Sequence, residues 1–134
     1  MTVYLDFDGT VVEHNYPALG EENPQAFRII RALQDQGHLV ILNTYRSDIN
    51  DGSLEEALGF LNNPQKGIIP ILQHTSKKIH PGPFDMMESL RFDRLFIDDI
   101  AEGIPLIPNL KLVSGFMVDW PEVEKALKAH GILG

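Results

Sequence analysis

The chain contains no cysteine, which excludes disulfides, thiolate metal sites and cysteine nucleophiles. It has no apolar run long enough to span a bilayer and no basic and apolar segments of a signal peptide, so we expect a cytoplasmic protein. Basic residues are scarce: 11 lysines and arginines stand against 19 aspartates and glutamates, for a net charge of −8. This charge disfavours nucleic acids and anionic membranes as partners. It leaves room for a small anionic substrate held by a metal and a few local cations.

Short apolar runs alternate with amphipathic segments along the 134 residues, of which 43% are hydrophobic. Strands that are apolar on both faces and separated by helices predict an α/β fold, a parallel sheet of about five strands with helices on both faces. Neither a linker nor a repeat interrupts the pattern, so we expect a single domain over residues 1–134.

The element boundaries follow from turn and capping residues. Strands are expected at 2–7, 39–43, 68–72, 95–97 and 110–117. The first helix should begin at Asn23 with Pro24, and the last at Asp119. Ser53 and Glu56 have the spacing of a capping box at the start of a second helix. A further short helix is expected at 84–90.

The most informative segment is 3–11, in which an apolar strand ends in Asp6 and Asp8 and is followed by Gly9 and Thr10. Side chains alternate between the faces of a strand, so the two carboxylates leave on the same side. Two desolvated carboxylates this close repel each other, and each needs a partner of opposite charge. The segment therefore predicts a divalent cation with oxygen ligands and, beside it, a group that the cation helps to react.

Polar residues also follow two other predicted strands. Thr44 ends the second strand, and Asp98 and Asp99 end the fourth. Ligands of parallel α/β sheets bind beyond the carboxyl ends of the strands, so we expect these residues to meet Asp6 and Asp8 at one rim. The alternatives are ordinary: aspartates cap helices and turns, and a threonine at a strand end bonds local backbone.

Basic residues near this rim are candidates to bind the anionic oxygens of a substrate. Arg46 lies two residues after Thr44, although a pair with Asp48 would be its ordinary role. Lys77 and Lys78 follow the third predicted strand, with a solvated loop as the alternative. We expect one of these two lysines to supply the cation of the site and favour Lys78.

Four segments resemble the motifs of the haloacid dehalogenase superfamily of phosphohydrolases. Asp6-Phe7-Asp8-Gly9-Thr10-Val11 resembles its first motif, and Thr44 at the end of 39–43 resembles its second. Lys78 is similar to the third motif, and Phe96-Ile97-Asp98-Asp99 resembles the fourth. Residues 12–17 and 20–22 also resemble small bacterial members that lack a cap domain. The resemblance implies a Rossmann-like domain with no inserted cap.

The resemblance also implies a mechanism, that of a Mg2+-dependent phosphatase acting on a small phosphomonoester. Asp6 would attack phosphorus and become a phosphoaspartate, while Asp8 would protonate the leaving oxygen and then activate water. Asp6, the backbone carbonyl of Asp8, and Asp98 would hold Mg2+, with Asp99 assisting. Thr44 and Lys78 would stabilise the phosphoryl oxygens. The other residues expected to contact the substrate are Gly9, Thr10, Arg46 and Lys77.

The chain departs from the superfamily pattern in two places. Tyr45-Arg46 follows the second motif, which makes Arg46 a candidate to assist or replace the lysine, and Arg91 and Arg94 stand where a lysine often precedes the fourth strand. The connection 11–23, which contains His14, follows Asp8 directly; an ordinary loop is its favoured interpretation, with contact to a substrate as the alternative. This connection and the segment after Arg46 are the parts of the chain available to close the site.

The missing cap leaves the function open in several ways. An open site is compatible with a large substrate, with a cap supplied by another subunit of a homo-oligomer, or with slow promiscuous turnover. Two alternative functions are a binding or regulatory module with little turnover, and a phosphatase acting on nucleic-acid ends. The acidic charge balance disfavours the second of these.

Overall fold

A parallel sheet of three strands forms the centre of the computed structural model, which describes residues 1–82, 86–108 and 115–134. β1 (Thr2–Leu5) lies between β2 (Leu39–Leu42) and β3 (Arg94–Ile97). Leu5 is in register with Leu42 on one side and with Ile97 on the other. The three strands therefore end at the same level, and the residues that follow them meet at one rim.

The sheet is smaller than the sequence predicted. Residues 68–72 were expected to form a strand, but Pro70 has no backbone N–H for a ladder, and this segment reaches the sheet through one parallel bridge from Leu42 to His74. The strand predicted at 110–117 lies mostly outside the described residues. Its described end belongs to β5 (Phe116–Val118), which pairs antiparallel with β4 (Leu106–Pro108). The single parallel sheet of about five strands was therefore wrong.

The described residues form three α-helices and three short 3₁₀ helices. The α-helices are α1 (Ala26–Asp35), α2 (Ser53–Leu61) and α3 (Trp120–Ala129). The 3₁₀ helices are Tyr45–Ser47, Pro64–Lys66 and Glu88–Phe92, the last overlapping the helix predicted at 84–90, of which 84 and 85 lie outside the described residues. None of these helices is long and apolar enough to cross a membrane, and no cap domain is inserted between the described strands.

Of the predicted helix caps, that of α3 is confirmed, since the Asp119 carboxylate accepts a hydrogen bond from the Glu122 N–H. The other two were wrong. Gln25 and Gly52 occupy the N-cap positions of α1 and α2, both with positive φ. Asn23 is instead buried, and its amide donates to the carbonyl oxygens of Thr10 (2.9 Å) and Val118 (2.7 Å).

The turn after β1 is held by buried hydrogen bonds to Thr10. Its carbonyl oxygen accepts from Asn23 and also from the indole N–H of Trp120, at 2.8 Å. Trp120 is completely buried at the start of α3, so this bond joins the turn to the core. Buried polar groups must be paired to be tolerated, and here the pairing fixes the backbone directly behind Asp6 and Asp8.

Alternate residues of the first strand and its extension bury one face of the sheet. Val3, Leu5 and Phe7 are fully buried, as is the apolar stripe of α1. Each such side chain contributes about 1.5–3 kcal/mol by leaving water. A two-armed ion pair between Arg28 of α1 and Glu124 of α3 joins these helices at the surface. The residues at the rim therefore follow strands whose side chains are packed in the hydrophobic core.

Candidate metal and catalytic site

Carboxylates from the ends of two neighbouring strands meet at one lysine. Lys78 Nζ lies 2.9 Å from Asp6 Oδ1, directly after β1, and 2.8 Å from Asp98 Oδ2, directly after β3. All three side chains are at most 5% exposed. The convergence predicted from parallel strand ends is therefore present, and of the two lysines considered, the structure places Lys78 at its centre. Lys77 is exposed and does not line the cavity described below.

Asp99 completes a cluster of three carboxylates with Asp6 and Asp98. One oxygen from each lies within 4.8 Å of the other two. The Thr10 hydroxyl donates to Asp6 Oδ2 at 3.0 Å, and its oxygen accepts from the Asp99 backbone N–H at 3.2 Å. Asp99 Oδ2 also pairs with His14 Nε2 at 2.7 Å. The turn after β1 and the turn after β3 are thus bonded to each other through side chains.

Burial and mutual repulsion change the acidity of this cluster. Burial raises the pKa of Asp6 well above its ordinary value, and the Asp98 carboxylate raises it further, against the attraction of Lys78. Burial also raises the pKa of Asp98. Burial would raise the pKa of Asp99 too, but hydrogen bonds with His14 and Asp6 lower it overall.

The donor set fits a hard divalent cation. Asp6 and Asp98 share the Lys78 ammonium, and Asp99 pairs with His14. Asp98 Oδ2 is buried and, although close to Lys78, accepts no hydrogen bond of good geometry. Buried carboxylate oxygens in such a cluster are the ligands that Mg2+ and Ca2+ prefer. The cluster of Asp6, Asp98 and Asp99 is therefore a candidate metal site.

Asp8 is not part of this cluster, because its carboxylate is held by Arg46. The guanidinium donates to both Asp8 oxygens, each at 2.7 Å, and its side chain is 1% exposed. It also donates to the carbonyl oxygens of Ala18 and Ser53, at 3.0 and 3.2 Å. Arg46 therefore joins Asp8, the 11–23 loop and the start of α2, instead of pairing with Asp48 as its ordinary interpretation had it.

Thr44, Gly9 and Thr10 support this rim in different ways. Thr44 is 1% exposed, lines the cavity, and accepts a hydrogen bond from the Arg46 backbone N–H; its own hydroxyl hydrogen can still be donated. The Gly9 N–H donates to the Val12 carbonyl, and Thr10 is buried. Neither Gly9 nor Thr10 is among the cavity residues, so their contact with a substrate stays a prediction.

Gly9 is required by close packing. A Cβ at this position would lie 2.3 Å from His14 Nε2 and 2.5 Å from Asp99 Oδ2, and the backbone has a φ of +80°. Only glycine adopts this conformation freely and leaves room for the pair above it. The spacing of Asp8 and Gly9 in the first motif thus has a structural reason.

A cavity of about 320 Å³ opens above the cluster. Its floor consists of polar residues: Asp6, Asp8, Thr44, Arg46, Lys78 and Asp99. Its walls are His14, Tyr16, Tyr45, Ile49 and Ile100. A concave site with a few convergent polar groups and acids of altered pKa has the usual form of an active site.

The sequence reasoning considered His14 but favoured an ordinary loop for it, and it proposed none of the other wall residues for the site; the structure places His14 on Asp99 and in the cavity. His14 lies in a loop, and no periodic pattern shows that this loop turns back over Asp99. The pairing of Asp8 with Arg46 had a usable signal: these residues follow the registered pair Leu5 and Leu42 by three and four positions. Counting residues past the ends of β1 and β2 would have predicted that Asp8 and Arg46 lie close together.

Comparison with known proteins supports the fold. A solved structure of a conserved protein from Bacteroides thetaiotaomicron matches with a TM-score of 0.61 and 28% sequence identity, covering 97% of this chain and 91% of that chain. The two proteins share one fold over nearly their whole lengths. No family model and no curated protein matches the chain. The chemistry of the site must therefore be argued from its own residues.

Proposed function

We propose that the protein is a Mg2+-dependent phosphatase that hydrolyses a phosphomonoester through a phosphoaspartate on Asp6. The observation that carries this proposal is the meeting of Asp6 and Asp98 at Lys78 Nζ, with Asp99 within 4.8 Å, at the carboxyl ends of adjacent parallel strands. The resemblance of these segments to the haloacid dehalogenase superfamily supports the same chemistry.

Asp6, Asp98 and Asp99 would hold the metal ion. When bound, Mg2+ would neutralise the attacking carboxylate and the phosphoryl oxygens. The Lys78 ammonium adds a second positive charge at the same place, and burial of the two aspartates and the lysine strengthens these interactions. Positioning and charge stabilisation of this kind supply most of the rate in phosphoryl transfer.

Asp6 is the nucleophile in this scheme, and one of its oxygens forms a bond to phosphorus as the bond to the leaving oxygen breaks. Its orientation is set by Thr10 on one oxygen and Lys78 on the other. Water then cleaves the acyl phosphate and releases inorganic phosphate, restoring the carboxylate. Thr44 lines the cavity floor, and in this scheme its hydroxyl donates its hydrogen to a phosphoryl oxygen.

Asp8 transfers the protons in this scheme, first to the leaving oxygen and then from the water. Arg46 occupies both Asp8 oxygens, so a proton on either one displaces one arm of the guanidinium. The released arm remains beside the phosphate and can bind one of its oxygens. In this scheme Arg46 would therefore both position Asp8 and contact the phosphate.

The test is turnover of a generic aryl phosphate with Mg2+ by the wild-type protein and by Asp6→Asn. We expect Asp6→Asn to reduce kcat by about 10³-fold or more, because it removes the nucleophile. Asp35→Asn, at an exposed carboxylate at the end of α1, is the matched control and should keep full activity. Hydroxylamine attacks an acyl phosphate, releases phosphate and leaves a hydroxamate, so it should convert Asp6 to its hydroxamate in the wild-type protein during turnover and leave the Asp6→Asn protein unmodified. Equal turnover by both proteins would refute the nucleophile assignment.

A binding or regulatory module with little turnover is the second candidate, and the Arg46–Asp8 pair favours it. If the guanidinium never releases Asp8, the protein lacks a general acid but keeps the carboxylate cluster and Lys78 for binding a metal ion and an anion. This candidate predicts Mg2+-dependent binding of inorganic phosphate in calorimetry and no hydroxylamine-trapped product. Turnover in the preceding assay would exclude it.

A further inference from the structure

The walls of the cavity are built from large apolar side chains that are exposed to solvent. Tyr16, Tyr45, Ile49 and Ile100 are each between 42% and 47% exposed, and all four line this cavity. They come from three separate segments: the 11–23 loop, the 3₁₀ helix with the residues after it, and the turn after β3. Exposed apolar groups gathered around one concave site indicate a surface that a ligand covers.

The two tyrosine rings are held in place by the buried cations of the floor. Lys78 Nζ lies 4.6 Å from the centre of the Tyr45 ring, and the Arg46 guanidinium carbon lies 5.1 Å from the centre of the Tyr16 ring. Such cation–π contacts, together with hydrogen bonds of both hydroxyls, favour one position of each ring before a ligand arrives. Walls that are already ordered lose little conformational entropy on binding, so their apolar area contributes more fully to affinity.

The polar ends of these rings are already occupied. The Tyr16 hydroxyl donates to Asp51 at 2.7 Å, and the Tyr45 hydroxyl is hydrogen-bonded to His80 Nε2. His14 is likewise bonded to Asp99. The walls therefore present ring surfaces and aliphatic groups to a ligand, whereas recognition of a sugar or polyol requires donors and acceptors aimed at its hydroxyls.

The cavity is small and open to solvent. At about 320 Å³ it is at the small end of ligand pockets, which run from about 300 to 1,000 Å³. It has room for one phosphate on the charged floor and one ring between the walls.

We propose that the alcohol part of the substrate is a flat, largely apolar ring, so that the preferred substrates are small arene-bearing phosphomonoesters. This inference rests on the proposed phosphatase function, and it adds the substrate class to it. The charged floor binds the phosphate, and the walls formed by Tyr16, Tyr45 and Ile49 cover the ring.

The first test compares 2-phenylethyl phosphate with glucose 6-phosphate as substrates in the presence of Mg2+. Both are esters of primary alcohols, so their leaving groups are similarly basic and intrinsic reactivity does not decide the result. We expect kcat/KM to be at least about tenfold higher for the phenylethyl ester, from burial of its ring. Turnover of both esters at equal kcat/KM would overturn this inference and leave the phosphatase function standing.

A binding measurement makes the test independent of turnover. Calorimetry with Mg2+ would compare 2-phenylethylphosphonate with 2,3-dihydroxypropylphosphonate, neither of which can be hydrolysed. The arene-bearing phosphonate should bind at least about tenfold more tightly. Tighter binding without turnover of either ester would support the cavity inference and refute the phosphatase function, whereas equal affinities would refute the inference whatever the enzyme does.

Variants of the wall locate the preference. Ile49→Ala should reduce the ratio of phenylethyl to glucose phosphate kcat/KM by about threefold or more, because it removes apolar wall area. Tyr45→Phe keeps the ring and loses only the hydroxyl, so it should keep the ratio within twofold. Leu72→Ala, at an exposed leucine outside the cavity, is the control. A ratio that falls in Tyr45→Phe and not in Ile49→Ala would overturn the inference by showing polar recognition.

Discussion

Replacing Arg46 by methionine should destabilise the protein more than any exposed arginine replacement. Methionine has a similar length and can fill the apolar space beside Phe7 and Tyr16, so the change removes the charge and the hydrogen bonds with little loss of volume. It leaves the Asp8 carboxylate without its partner, at 14% side-chain exposure. It also removes the donor to the Ala18 carbonyl.

The magnitude follows from the burial of the pair. Removing one partner of a buried ion pair costs about 3–5 kcal/mol, because the remaining charge is left desolvated. At about 4 °C per kcal/mol for a domain of this size, the midpoint of thermal unfolding should fall by roughly 12–20 °C. Domains are stable by only about 5–15 kcal/mol, so Arg46→Met could unfold the protein. In that case Arg46→Lys is the milder variant, because it keeps the positive charge and loses only the two-armed hydrogen bonding of the guanidinium.

Urea unfolding of a double-mutant cycle would measure the interaction itself. Asp8→Asn combined with Arg46→Met should be less destabilising than the sum of the two single changes, by about 1–3 kcal/mol. The matched control is Arg31→Met: Arg31 pairs with Asp35 at the surface of α1, and its loss should cost no more than about 0.5 kcal/mol. If Arg46→Met cost as little stability as Arg31→Met, or if the cycle showed no coupling, the assignment of a stabilising buried Arg46–Asp8 ion pair would be refuted.

Two further predictions concern the turn after β1 and the buried carboxyl group. In urea unfolding, Gly9→Ala should lower the unfolding free energy by at least about 1 kcal/mol more than Gly67→Ala does. Both glycines have positive φ, but only the Cβ at position 9 would displace His14 and Asp99. Equal losses in the two variants would contradict the close packing at Gly9. The second prediction concerns the unfolding free energy of wild type minus that of Asp6→Asn, both measured in a chelator. This difference should fall as pH rises above 3.8, because the raised pKa of Asp6 makes the folded state hold its proton more tightly than the unfolded state does, and it should level off once Asp6 ionises in the folded protein. A difference that rises with pH would show that the pKa of Asp6 is lowered.

The part of the site that sequence could predict is the part set by strand periodicity. Asp6 and Asp98 directly follow apolar strands, and parallel strands place their carboxyl ends at one rim, so the two carboxylates had to approach each other. Lys78 was chosen on looser grounds, as a cation near the same rim. Its position between the two aspartates depends on the path of 68–77, of which 68–72 was expected to form a strand and does not.

The helix starts show where local signals compete with tertiary structure. Asn23 with Pro24 has the composition of an N-cap, but the Asn23 amide bonds the Thr10 and Val118 carbonyls, and α1 begins only at Ala26. The two buried carbonyls fix the orientation of the Asn23 side chain, and the helix begins three residues later with Gln25 at its N-cap position. The buried carbonyls took precedence here, because leaving them unpaired would cost more than losing a cap.

The roles of Arg46 and of the cavity walls belong to the same piece of structure. The guanidinium holds Asp8, donates to the Ala18 carbonyl in the 11–23 loop, and lies against the Tyr16 ring of that loop. In the proposed mechanism, a movement of Arg46 that frees Asp8 for proton transfer must therefore also alter the contact of the guanidinium with the Tyr16 ring. Covering that wall with a substrate ring would in turn restrict the arginine, so we expect the identity of the alcohol part to affect kcat as well as KM. Identical kcat values for esters that differ only in the ring would show that the wall and the general acid act separately.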